Sequence, residues 1–292
     1  MSLNSLVQHA RKGAAILGQG PHSSHAAQDA EFLLAHLIGR NRAWFLAHLD
    51  DEIPLDQADL YGKLIHRRLA GEPIQYITGE TEFYGLTFRV TPAVLIPRPE
   101  TEHLVEEVLK RAAQIAHPRI TPLRVLDIGT GSGCIAIALA HHLPQATITA
   151  IDLSPEAINL ARQNAALNNF ADRIRFLQGD LLAPVASEAF DLIVSNPPYV
   201  PTTDRPTLSV EVRDHEPAVA LFAGPDGLDL YRRLIPASHA AIVPGGLLLL
   251  EISYGQQPAV TSLLEASGFH SIDVFPDLQG IPRVLCTTRA HT

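Results

Sequence analysis

Cysteine is almost missing from this chain of 292 residues: there are two, Cys134 and Cys286, far apart. That excludes a disulfide framework and the paired spacing of a zinc site, and it fits a reducing compartment. A basic excess is missing too. Lys and Arg number 22 against 31 Asp and Glu, a formal charge of −9. Duplex nucleic acid is held largely by neutralising its phosphates, so stable nucleic-acid binding is not expected, a local basic patch aside. No apolar run approaches the length of a membrane span; the longest, Gly246 to Ile252, is strand-sized. Met1 to Asn4 lack the basic-then-apolar pattern of a secretory leader. The expectation is a soluble cytoplasmic protein without membrane contact. Its 46% hydrophobic content suffices for one large domain plus a small one.

The first 77 residues read as helical. Ala30, Leu33, Leu34, Leu37 and Ile38 recur at helical spacing, and Gly39 follows as a stop. A second helix is expected from Arg42 to Leu49, and a third from near Pro54, carrying Leu60, Leu64 and Ile65 and ending before Gly71. This small bundle has no Gly-rich nucleotide loop and no metal spacing. Its His66-Arg67-Arg68 run is either a solvated face or a docking surface. Residues 78–99 turn β-like around Phe83, Tyr84, Phe88, Val90, Val94, Leu95 and Ile96, which predicts a hairpin linker. A proline-framed segment, Ile96 to Thr101, then opens a helix with Leu104, Val105 and Val108, and Pro118 and Pro122 mark a loop.

From there to residue 292 strands and helices alternate. Strands are expected at Arg124–Ile128, Thr147–Ile151, Ile174–Leu177, Phe190–Ser195 and Leu247–Ile252, with helices at Cys134–His141, Pro155–Leu167, Leu230–Ile242 and Pro258–Ser267. Such alternation gives a mainly parallel sheet covered by helices on both faces. The last two segments, Ser271–Phe275 and Val284–Thr288, have no helix between them and should pair antiparallel at one edge.

Four features of this region bear chemistry. Asp127-Ile128-Gly129-Thr130-Gly131-Ser132-Gly133 follows the first strand and opens a helix, with glycines spaced for close approach of backbone amides to a ligand. The next strand ends in Asp152, where a carboxylate can hold ribose hydroxyls; the alternative is a cap for the helix at Pro155. Asp180, after Gly179, is placed to accept from an adenine amino group with Leu181 packing on the ring, or is a simple turn residue. The fourth strand delivers Asn196-Pro197-Pro198-Tyr199. Two consecutive prolines lock two φ angles and hold Asn196 extended, making a stiff rod that presents an amide, free carbonyls and a ring. Alone it is as much a strand-ending turn as a grip for a planar nitrogen. If the first and fourth strands are neighbours, the glycine loop and the rod face each other beyond the carboxyl ends of the strands, where ligands of open α/β sheets sit.

The glycine loop, Asp152 and Asn196 to Tyr199 together resemble the class I S-adenosylmethionine-dependent methyltransferases that modify planar nitrogens. Arg67-Arg68 with Gly71 to Ile74, Ile96 to Glu102, and Asp214 to Pro217 with Ala220-Leu221 narrow the resemblance to the peptide chain release factor glutamine methyltransferases, over nearly the whole chain. The resemblance implies an α/β fold: a Rossmann-like domain at 100–292 with a mostly parallel seven-stranded sheet and an antiparallel edge strand. Before it come a helical substrate-docking domain at 1–77 and the hairpin at 78–99. It implies S-adenosylmethionine as cofactor, S-adenosylhomocysteine as product, release factors as protein substrate, and a monomer. Gly129, Thr130, Gly131, Ser132, Gly133, Asp152, Asp180, Leu181 and Asn196 would hold the cofactor; Leu181 stands where some members have Trp. Asn196, Pro197, Pro198 and Tyr199 would bind the substrate, with Asn196, Pro197 and Tyr199 catalytic. Arg213, Asp214 and Glu216 would lie near the substrate or salt-bridge among themselves.

An amide nitrogen shares its lone pair with its carbonyl and is a poor nucleophile. Asn196 would accept one of its hydrogens through the side-chain oxygen and the Pro197 carbonyl, by the family's pattern, the other. Tyr199 would pack on the target group or be a core aromatic. No nucleophilic Ser, Cys or His is needed, and no metal: His141-His142 and His22 to His25 have no partner at ligand spacing. Cys134 is expected to pack as a small residue at a helix start. The competing substrates are a ribosomal-protein glutamine and an adenine amino group of nucleic acid.

Overall fold

The computed structural model describes residues 5–115 and 122–290. Met1 to Asn4, read as lacking a leader pattern, and the loop at Pro118 lie outside them. The chain divides into two units, Met1–Glu80 with Leu208–His215, and Thr81–Thr207 with Glu216–Thr292.

The first unit holds helices α1 (Leu6–Leu17), α2 (Ala26–Leu37), α3 (Arg42–Ala47), α4 (Leu55–Leu69) and α5 (Ile74–Thr78). Their apolar stripes meet in a core of Leu6, Leu17, Leu33, Leu34, Phe45, Tyr61 and Ile65. Gly39, with φ of 65°, follows the end of α2 as expected. Gly13 is needed for packing, since a Cβ there would stand 2.3 Å from the Tyr61 hydroxyl oxygen. The basic run on α4 is not a uniform solvated face. Arg68 is buried, held by Asp29 at 2.6 Å and by Glu211 from the short helix Val210–His215. A segment far along the chain is thereby tied into the helical unit, a long-range pairing that local sequence pattern does not carry.

The second unit begins with the hairpin β1 (Glu80–Phe83) and β2 (Leu86–Arg89). It is shorter than expected: Val94 and Ile96 are buried but lie in irregular chain. Nor is it a free linker, because Phe83 and Phe88 enter the main core with Leu104 and Val125. After α6 (Pro99–Ile115) come β3 (Arg124–Ile128), α7 (Cys134–His142), β4 (Thr147–Asp152), α8 (Pro155–Leu167), β5 (Ile174–Gln178) and β6 (Phe190–Ser195). The short helices α9 (Val210–His215, of the first unit) and α10 (Ala218–Leu221) lead to α11 (Asp229–Ala241), β7 (Ile242–Glu251), α12 (Gln257–Ala266), β8 (His270–Pro276) and β9 (Pro282–Thr288).

Seven strands form one sheet in the order β5-β4-β3-β6-β7-β9-β8, parallel from β5 through β7. The last pair is antiparallel as expected, but the antiparallel strand is not the edge. β9 inserts between β7 and β8 and runs against both. Alternate residues of each strand face opposite layers, as the pleat requires. Val125, Leu192, Val194 and Leu249 pack under α6, α7 and α8, while Leu126, Ile193, Leu248 and Leu250 pack under α11 and α12. Among the described residues no helix is long and apolar enough to cross a membrane.

Candidate functional site

Strand order reverses between β3 and β6: the chain goes from β3 outward to β4 and β5, then returns to β3's other side. Ile128 and Ser195 end the paired strands side by side, and Ser195 Oγ donates to the Ile128 carbonyl at 2.6 Å. The loops that follow, Gly129–Gly133 and Asn196–Tyr199, therefore leave from adjacent points at the carboxyl edge. A cavity of about 400 Å³ opens there. Its wall includes Gly129 to Ser132, Asp152, Asp180, Leu181, Asn196, Pro197 and Pro198. The structure thus brings together all but two of the residues expected at the site.

The exceptions are Gly133 and Tyr199. Gly133, with φ of 83°, caps α7 and faces Ala161 and Ile137 rather than the cavity. Tyr199 packs beside the core under α11, and its hydroxyl donates to Glu251 Oε1 at 3.2 Å. Its main-chain carbonyl accepts from Gln256 at 2.9 Å. The ring is a fastening for the rod, not a wall of the cavity.

The glycine loop is shaped by carboxylates. Gly129 and Gly131 have φ of 73° and 56°, and a Cβ on either would meet nothing within 4 Å. Side chains are excluded by the backbone conformation while open space lies in front, which is a cradle for a ligand. Asp152 Oδ2 accepts from the Gly131 N–H at 2.8 Å and Oδ1 from Ser154 N–H at 2.9 Å. The cap of α8 is Ser154, not Asp152. Burial raises the Asp152 pKa, and its backbone donors oppose the rise. Behind the loop Asp127 is fully buried. Its Oδ2 accepts from Thr130 Oγ1 at 2.6 Å and its Oδ1 has no partner, and burial pushes its pKa up to about 7.

At the opposite side Asp180 is exposed at the rim with its carboxylate paired to Arg233. Leu181 adopts φ of 51°, unusual for a branched residue, and lines the cavity half-buried. The Asn196 amide nitrogen donates to Thr101 Oγ1 at 2.9 Å. Thr101, buried on α6, and Arg98, paired with the buried Glu216, complete this wall. Arg213 pairs with its neighbour Asp214 and takes no part in the wall. Sequence reasoning missed Thr101, Arg233 and Glu251; the segment Ile96 to Glu102 was the one signal available for the first.

Of the remaining candidates Cys134 borders the cavity, while His141 and His142 stay outside it. Cys134 is buried and its thiol is pushed up to about 12 by burial, so it packs as expected. His141 and His142 stack edge-on with each other and with Phe170 and Tyr84. Among the described residues no group of side chains is placed to hold a metal ion. The cavity lining suits an organic ligand: backbone amides and Asp152 for a polar, hydroxylated part and Leu181 for a flat apolar one.

Residues 11–79 match the family described as PrmC N-terminal domain, and residues 103–211 the Methyltransferase small domain. The chain is 45% identical over 262 residues to a release factor glutamine methyltransferase of Moorella thermoacetica, covering 89% of this chain and 90% of that one. With the protein of that name from Geobacter sulfurreducens it shares 43% over 261 residues, 89% of each. Among solved structures, a methyltransferase from Pyrococcus furiosus superposes with a TM-score of 0.52 at 18% identity, covering 80% of this chain and 96% of that chain. That likeness shows the fold.

Proposed function

The chain belongs to the release factor glutamine methyltransferase family, and on that premise we propose that it methylates the side-chain amide nitrogen of the glutamine in the Gly-Gly-Gln motif of peptide chain release factors. The observation that carries the reading is the setting of Asn196. With its nitrogen tied back to Thr101, its oxygen is the atom left for a ligand, on a rigid rod at the cavity wall. A planar NH2 group offers two hydrogens; the Asn196 oxygen accepts one and the Pro197 carbonyl the other. The two bonds orient the nitrogen and draw its hydrogens away, which raises electron density on it.

S-adenosylmethionine, when bound, supplies an electrophilic methyl carbon on a sulfonium. Gly129 to Ser132, Asp152 and Leu181 would hold it, with the Asp180–Arg233 pair at the rim. The chain's own contribution is then position and polarity, worth several orders of magnitude without covalent catalysis. Tyr199 serves by fastening the rod. We place the enzyme in the cytoplasm, acting as a monomer through its helical unit on the release factor.

The test is incubation with labelled S-adenosylmethionine and purified release factor, with the label mapped by mass spectrometry. Label on the Gly-Gly-Gln glutamine is expected; label on ribosomal protein or nucleic acid with none on the release factor overturns the reading. Asn196→Ala should keep cofactor affinity by calorimetry and lose about 100-fold or more in kcat, the scale of removing one oriented polar group. A variant with unchanged turnover removes Asn196 from the role.

A further inference from the structure

The rod Asn196 to Tyr199 has few handholds along its backbone. Pro197 and Pro198 have no N–H to donate, and their φ angles are locked. At its near end Ser195 Oγ donates to the Ile128 carbonyl and Asn196 Nδ2 to Thr101 Oγ1. At its far end it meets Gln256, the half-buried residue before α12. Gln256 Nε2 donates to the Tyr199 carbonyl at 2.9 Å and to the Gly227 carbonyl at 3.3 Å, and Oε1 accepts from the Ser253 N–H at 3.1 Å. Only one orientation of the amide serves these partners, since the two carbonyls only accept and the N–H only donates. Gly227, with φ of 75°, packs directly on the same carbonyl: a Cβ there would stand 2.2 Å from the Tyr199 oxygen and 2.9 Å from Gln256 Nε2. The other edge of that peptide unit is held as well, by the Val200 N–H donating to the Leu221 carbonyl at 2.8 Å.

The two acceptors that face the target amide are therefore secured differently. The Asn196 oxygen is set by its own side chain, tied to Thr101. The Pro197 carbonyl belongs to the backbone, and its direction follows from how the rod is clamped beyond it. The Tyr199 ring does not supply that clamp: its hydroxyl bond to Glu251 at 3.2 Å leaves the peptide plane to turn about the backbone and side-chain torsions between them. The clamp is on the Tyr199–Val200 peptide itself.

We infer that Gln256 is a positioning residue for methyl transfer: with Gly227 against it, Gln256 fixes the Tyr199–Val200 peptide and, through two prolines of locked φ, sets the direction of the Pro197 carbonyl. This rests on the methyl-transfer reading, in which that carbonyl accepts one hydrogen of the target amide. Neither Gln256 nor Gly227 lines the cavity, so both act on a ligand only through the rod.

The test uses the full chain with release factor and S-adenosylmethionine. Gln256→Met keeps the length of the side chain and removes its three hydrogen bonds; Gly227→Ala presses a methyl group on the same carbonyl. Each should lower kcat about tenfold or more, since a 1 Å misplacement of reacting groups costs about 100-fold, with cofactor affinity within about twofold by calorimetry. Gln256→Glu keeps the shape and the acceptor for Ser253, but as a carboxylate it has no hydrogen for either carbonyl and should not restore kcat. A second readout separates direction from stability. Release factor, and its form with glutamate in place of the target glutamine, are titrated in the presence of S-adenosylhomocysteine. Two well-aimed acceptors favour NH2 over a carboxylate, so the wild type should bind the glutamine form about tenfold more tightly, and both variants should shrink that preference to about threefold or less. A third readout needs no ligand: the carbonyl 13C NMR signals of Tyr199 and Pro197 should both move in Gln256→Met. If the wild type leaves release factor unlabelled, the functional reading falls while the carbonyl signals still decide whether Gln256 directs the rod. Unchanged kcat in Gln256→Met, a lower kcat with the full glutamine preference kept, or a shift at Tyr199 with none at Pro197 overturns the inference. Should Gly227→Ala fail to fold, Gln256→Met at its half-buried position decides it.

Discussion

Asn164 on α8 carries the heaviest structural duty of any polar side chain behind the site, and its removal can be worked through. It is fully buried. Its Oδ1 accepts from the Arg89 N–H at 2.8 Å, and its Nδ2 donates to the Arg89 carbonyl at 3.0 Å and the Ser132 carbonyl at 2.9 Å. One amide thus joins the hairpin, the helix and the glycine loop. Asn164→Ala deletes all three bonds at about 1 kcal/mol each and orphans the buried Ser132 carbonyl at a further ~1–3 kcal/mol. The Arg89 groups sit near solvent and recover part of this by hydration, which leaves a loss of about 3–4 kcal/mol. In a unit of roughly 200 residues, that lowers Tm by about 6–12 °C. Asn164→Asp sharpens the test. It keeps the acceptor for Arg89 but sets a carboxylate oxygen against two carbonyls, so its folded pKa is raised. Its penalty should be largest at pH 8 and ease toward pH 5 as the carboxyl takes up a proton. Urea unfolding and calorimetry measure the stability, and titration with S-adenosylmethionine measures the loop. Both variants within about 1 kcal/mol of wild type, with cofactor affinity unchanged, would refute the assignment.

Two further outcomes are expected. Burial raises Asp127 to about 7 from an ordinary 3.8, so the stability it contributes is complete below about pH 4 and is lost as pH rises through 7. Asp127→Asn keeps an acceptor for Thr130 and should flatten the fall of Tm between pH 5 and 8; a Tm curve parallel to wild type would count against the buried charge. Arg68→Met strands the carboxylates of Asp29 and Glu211 and should destabilise the helical unit by about 3–5 kcal/mol. It should also release Leu208–His215, read as faster tryptic cleavage after Arg213; an unchanged digestion rate would mean the segment is held by other contacts.

How much was legible follows from where each signal lives. The parallel strands were readable because burial on both faces writes continuous apolar runs such as Leu192-Ile193-Val194. The glycine loop and the proline rod were readable because their constraints are local to the backbone. The place of β9 was only partly so: its run Val284-Leu285-Cys286 is continuous where β8 alternates, but the choice of neighbour is made by pairing with β7. The docking of Leu208–His215 was not, because it depends on one buried arginine 143 positions from its partner. The groups around Asn196 were hidden for the same reason. Thr101 reaches it from 95 positions before it, Glu251 holds Tyr199 from a strand 52 positions beyond that residue, and alone they look like a helix residue and a strand end.

One pattern was nonetheless present in the sequence. β3, β4 and β7 each bring a carboxylate to or next to their carboxyl end after an apolar run: Asp127, Asp152 and Glu251. A carboxylate at that edge is unfavourable to bury, and burial raises the pKa of all three. The charge of Arg283 opposes the rise at Glu251, and the hydrogen bonds the three accept come from hydroxyls and backbone N–H groups of Thr130, Gly131, Ser154 and Tyr199. Such groups add little to folding, because each introduces a desolvation penalty that an apolar residue would not. What they supply is direction: each accepts a hydrogen bond that fixes one loop in one conformation. Carboxylates ending apolar parallel strands therefore mark the edge where a ligand is held, and in this chain they do so at Glu251, which no local motif singles out, as well as at Asp127 and Asp152.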